Sequence, residues 1–96
     1  MDLQTFKASL DTAAPPPDIS TALQALWYDA KSDWDKDHEL AQQEPHPIGA
    51  WVHAYLHRVE GDERNAGYWY NRAQKPHRNA ALPEEWDQIA TALLAG

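Results

Sequence analysis

The chain repeats itself at a separation of 29 residues, and that repetition restricts its possible folds more than any other feature. Ile19, Ala22, Leu23, Leu26, Trp27 and Ala30 align with Ile48, Trp51, Val52, Tyr55, Leu56 and Val59, every pair at the same offset. Within each set the residues recur every three or four positions, which is the spacing of one side of an α-helix. The corners that follow also align, Ser32-Asp33 with Gly61-Asp62, as do the breaks before them, Pro16 with Pro45. A helix, a tight turn with an Asp cap, a second helix and a proline-containing break therefore occur twice. One hairpin of this size cannot bury its apolar face alone, so the two copies are expected to stack.

The remaining elements frame this pair. Asp2 can cap a short helix with Leu3, Phe6 and Leu10 on one face, and "TAAPPPD" ends it, because proline removes backbone donors and pushes the preceding residue out of helix. The second helix begins near Asp18 or Ser20, and Asp33 caps the third, which "EPHP" ends. The fourth runs from about Ile48 to Glu60; Gly61 closes it and Asp62 caps the fifth, Glu63 to about Gln74. After the loop "KPHRNAALP", Pro83 sits in the first turn of a last helix with Trp86, Ile89, Ala90, Leu93 and Leu94 on one side. No stretch alternates over strand length. The pattern predicts an all-α fold of about six helices. Two stacked hairpins (about 18–43 and 47–75) are covered by an N-terminal helix at one end and a C-terminal helix at the other, in a single domain spanning 1–96.

Composition narrows the function. Five Trp and four Tyr supply apolar area to a core short of aliphatic residues. The absence of Cys excludes disulfides, thiolate metal sites and Cys nucleophiles. The net charge of −7 is uneven: residues 1–63 hold 12 acidic and 4 basic side chains, whereas Arg64, Arg72, Lys75 and Arg78 stand in an acid-free stretch. That balance argues against nucleic-acid binding, which rests on neutralising phosphates. No apolar run reaches membrane-spanning length, and "MDLQTFKASL" does not resemble a secretory signal, so a cytoplasmic setting is expected.

In the second unit, small Ala54 is followed by Gly61-Asp62, Ala66, Tyr70 and Ala73. This arrangement resembles a tetratricopeptide repeat or its Sel-like relatives, a resemblance that implies paired helices in close approach and binding of a protein or peptide partner rather than catalysis. The first unit departs from the pattern, with Asp37 where the second has Ala66. The stretch from Trp51 to Ala73 is also similar to a group of small uncharacterised bacterial proteins with an "HAYLHR-EGD--NA-YWY--A" core. That second resemblance covers roughly residues 20–76 and implies no particular activity.

Two sets of side chains stand out as candidate sites. Trp51, Tyr55, Arg58, Tyr68 and Arg72 combine aromatic and guanidinium groups suited to anchoring a partner, which includes a second copy of the chain. The expected function is therefore a non-enzymatic interaction module without a cofactor. The alternative is a metal-binding protein or metal-dependent enzyme. His53, His57 and Glu60, spaced four and three apart, share one helical side and could hold zinc or another divalent ion, with His38 as a further ligand. The structural reading of the same groups is a polar helix face. Arg72, Lys75, His77 and Arg78 are read as a solvated basic loop rather than a phosphate site. Asp33, Asp35, Asp37 and Glu39 are read as a solvated helix start rather than a calcium loop, since the Gly and distal Glu of such a loop are missing.

Overall fold

In a computed structural model describing residues 1–45, 47–76 and 80–95, the chain forms six α-helices and, among the described residues, no strand. They are α1 (Leu3–Ala8), α2 (Thr21–Ala30), α3 (Trp34–Gln43), α4 (Ile48–Val59), α5 (Glu63–Ala73) and α6 (Leu82–Ala95), with a 3₁₀ turn at Ser9–Asp11. Their starts follow from local chemistry. Asp2 Oδ1 accepts from the Thr5 N–H at 2.8 Å, Ser20 Oγ from Leu23 at 3.1 Å, Asp33 Oδ1 from Lys36 at 3.2 Å and Asp62 Oδ1 from Asn65 at 3.2 Å. Each cap satisfies a helix N–H that has no partner inside the helix.

The two corners share one backbone geometry. After α2, the Ser32 N–H donates to Asp29 O and the Asp33 N–H to Tyr28 O, both at 2.9 Å. After α4, Gly61 donates to Arg58 O and Asp62 to His57 O, again at 2.9 Å. Both corners pass through the left-handed region, Ser32 at φ 62° and Gly61 at φ 82°. The first two and last two residues of each corner's bonds are offset by the same 29 positions as the sequence repeat.

α2 pairs with α3 and α4 with α5, and α4 also touches α2, α3 and α6. This central position explains why Gly49 through Leu56 are all buried, apolar and polar residues alike. Ala54 and Ala66 are fully buried, and Gly49 admits the end of α3: a Cβ there would lie 2.2 Å from Glu44 O. The two covering helices meet each other instead of capping opposite ends. Phe6 of α1 stacks on Trp86 of α6 at 5.6 Å, and the Trp86 indole N–H donates to Leu26 O at 3.0 Å. A six-residue helix is too short to persist alone, so α1 depends on burying Phe6 there. One core results, led by Trp27, Tyr70, Phe6, Leu26, Leu56 and Ile89. The radius of gyration, 12.3 Å, suits one compact body of this length. No helix among the described residues is long and apolar enough to cross a membrane.

Candidate functional site

The five expected partner-binding residues divide into three groups. Tyr68 and Arg72 are exposed side by side on α5, with the guanidinium 5.5 Å from the Tyr68 ring and 5.7 Å from that of Trp69. Trp51 and Tyr55 are buried, but each lines a pocket. Arg58 is drawn inward. It pairs with Glu85 of α6, which is wholly buried and also accepts from the Tyr70 hydroxyl, and its second amino group donates to Ala80 O at 2.6 Å. Burial opposes the Arg58 charge, but hydrogen bonds to Glu85 and Tyr70 outweigh it and hold the guanidinium above its usual pKa. Burial, reinforced by Glu85, raises the Tyr70 phenol. Arg58, Glu85 and Tyr70 thus form a clamp joining α4, α5 and α6.

Tyr55 reaches the more useful pocket. About 270 Å³ in volume, it is walled by Leu10, Ala30, Leu82, Pro83 and Trp86, with Asp29 and Tyr55 among its polar lining. Tyr55 and Asp29 lie close enough to shift each other's titration. Burial, and then the charge of nearby Asp37, push the Asp29 carboxyl up to about 6, against a smaller opposing pull from Tyr55 and His38. Burial first, then Asp29 and Glu85, raise the Tyr55 phenol. Lys7 and Asp87, paired at 3.2 Å, also line the pocket. Sequence reasoning missed Asp29, because nothing in α2 alone indicates that α6 will cover it.

Trp51 lines a smaller groove of about 210 Å³ with Ile48, Ala73, Lys75 and Leu93, and the Lys75 ammonium sits 4.4 Å from its ring centroid. His77 and Arg78, expected in the basic loop, lie outside the described residues.

The His57 ring lies between the other two histidines, its centroid 6.4 Å from that of His53 and 6.4 Å from that of His38. His53 is buried and stacks on Trp69 of α5 at 4.4 Å, with ring planes 16° apart. His57 Nδ1 lies 3.3 Å from Glu60 Oε1, and His38 Nε2, arriving from α3, lies 3.4 Å from the same oxygen. His38 Nδ1 faces Asp37 Oδ1 at 2.5 Å and Trp34 O at 3.1 Å, while the Trp34 ring lies against the imidazole at 3.9 Å. Glu60 therefore has His38 and His57 as close neighbours, and His53 belongs to the α5 side. Asp37 departs from the solvated helix start expected of it. It is buried, and that burial raises its carboxyl despite the His38 hydrogen bond, whereas Asp33, Asp35 and Glu39 are exposed as expected. As they stand, no three His, Asp or Glu side chains among the described residues form a metal site.

No protein-family model, curated protein or solved structure matches the chain.

Proposed function

We propose that the chain is a non-enzymatic binding module, tetratricopeptide-like and cytoplasmic, whose partner is held in the Asp29–Tyr55 pocket. One observation carries this reading: apolar walls and a carboxyl group displaced from its ordinary pKa share one concave site. Pockets of that make-up bind ligands by filling the apolar space and meeting the few polar groups. Asp87 is already paired with Lys7, which leaves Asp29 as the lining acid available to a ligand. The fitting partner is a protein segment that brings an apolar side chain beside a protonated amine. The net charge of −7 favours the approach of such a basic segment.

The probe is 2-phenylethylamine, followed by NMR at Tyr55 and Trp86. Saturable shifts at both residues are expected, weaker for the uncharged 2-phenylethanol and lost in Ala30→Trp, which fills the pocket. Shifts that never saturate, or that persist in Ala30→Trp, contradict the reading.

Tyr68, 52% exposed beside Arg72, favours a second reading, self-association through α5. Sedimentation over a range of concentrations tests it. A constant monomer mass excludes it, and a mass that rises in the native chain but not in Tyr68→Ser supports it.

A further inference from the structure

We propose that His38 Nε2, His57 Nδ1 and Glu60 are three ligands of a zinc-class divalent cation that bridges α3 and the end of α4. The first observation is one of spacing. Zinc bonds imidazole nitrogen and carboxylate oxygen at about 2.0–2.2 Å in a tetrahedron, so neighbouring donor atoms lie roughly 3.3–3.5 Å apart. The two nitrogens stand 3.4 and 3.3 Å from Glu60 Oε1, which matches two of the three edges such a ligand set needs; the third is to be closed by the two imidazoles, whose ring centroids are 6.4 Å apart, turning toward the ion. Glu60 is about one-third exposed beyond the last turn of α4, so its carboxylate can withdraw to admit an ion without disturbing the core.

The second observation is that both nitrogens are buried and neither makes a hydrogen bond. Buried polar atoms are normally satisfied, and those that are not call for an explanation. For His38 the tautomer follows from its neighbours. Trp34 O can only accept, so Nδ1 carries the proton and donates to it and to Asp37. In the neutral ring the lone pair of Nε2 faces a carboxylate oxygen, a repulsive arrangement that a cation placed between them makes attractive, as binding a metal in place of a proton at Nε2 would.

The third observation lies behind the ligand. A carboxylate accepting from the far nitrogen of a ligating histidine is the usual outer support of a metal-bound imidazole. Asp37, buried and 2.5 Å from His38 Nδ1, occupies that position. Asp62 Oδ2 comes within 3.9 Å of His57 Nδ1, but it already accepts from Asn65 Nδ2 at 2.6 Å while Oδ1 caps α5. Asp62 is therefore committed to the corner, and the fourth position falls to water or an exogenous ligand. Two histidines, one carboxylate and an open position form a donor set suited to zinc.

The test uses the full chain, stripped with a chelator, then titrated with Zn²⁺ by calorimetry and with Co²⁺ by visible absorption. One equivalent of Zn²⁺ is expected to bind, with the intense d–d band of four-coordinate Co²⁺. Asp37→Asn should weaken binding by about 10–100-fold, and His38→Gln, His57→Gln and Glu60→Gln by more than that. His53→Phe keeps a ring against Trp69 and should bind as the native chain does. Glu60 is partly exposed, so Glu60→Gln keeps the fold, checked by circular dichroism, and remains decisive if a histidine variant unfolds. The proposal is overturned if Zn²⁺ does not saturate, if Co²⁺ stays six-coordinate, if folded Glu60→Gln binds undiminished, or if folded His53→Phe loses the metal.

Discussion

The two hairpins turn the same corner with the same pair of backbone hydrogen bonds, yet they place opposite charges at equivalent points. Asp29 in the first corresponds to Arg58 in the second. Each side chain enters the partly buried region where α6 crosses, and the outcomes differ. Arg58 meets a buried carboxylate and is held as part of a clamp. Asp29 meets a tyrosine hydroxyl and the field of another acid, so burial leaves it with a raised pKa beside a pocket. A repeated backbone thus supplies two similar positions, and the side chain reaching each one decides whether it serves stability or binding.

The largest test of that contrast is Glu85→Ala. It strands the Arg58 guanidinium in the interior, and the expected loss is about 3–5 kcal/mol, read by chemical denaturation. A loss below about 1 kcal/mol, the size of a surface pair, would mean that the clamp adds nothing beyond a surface contact. Next in size is Ala54→Leu, in the fully buried face where α4 meets its neighbours. Overpacking there should cost about 1–3 kcal/mol, and an unchanged melting midpoint would rule out close helix approach at Ala54.

Asp29→Asn should act in the opposite sense to Glu85→Ala. Because the Asp29 carboxyl is raised to about 6 in the folded chain, the unfolded chain gives up its proton first. This group therefore costs nothing below about pH 4, and its penalty grows until pH passes about 6. Discounted for partial exposure, the substitution should stabilise the protein by about 1–2 kcal/mol at pH 7.5 and by nearly nothing at pH 4. A gain that does not change between those two pH values would show that titration of Asp29 is not its source. The smallest effects are at the corners. Ser32→Gly should stabilise by about 0.5–1 kcal/mol and Gly61→Ser destabilise by a similar amount, since each left-handed site suits glycine. If both changes shift stability in the same direction, the corners are not energetically equivalent.

The helices and corners could be read from the sequence because their signals are local. Ser20, Asp33 and Asp62 act on donors three residues away, Gly61 tolerates its own positive φ and the prolines fix theirs. Helical spacing likewise puts His57 and Glu60 on one side of α4. What the sequence withheld depends on which element lies opposite. Glu85 reads as a negative charge favouring a helix start, and only the arrival of Arg58, 27 positions earlier, makes it a buried anchor. Asp37 reads as solvated until His38 and the α3–α4 contact enclose it. Whether His57 is joined near Glu60 by His38 or by His53 depends on which neighbouring helix each ring faces, which spacing along one helix does not encode. Gly49 carries no local sign that the Glu44 carbonyl will press against it.

The contrast between the two hairpins rests on the state of one carboxyl group. A ¹³C-detected pH titration of the Asp29 side-chain carboxyl reads it directly. The account requires a midpoint near 6; a midpoint near 4, that of a solvated aspartate, would contradict it.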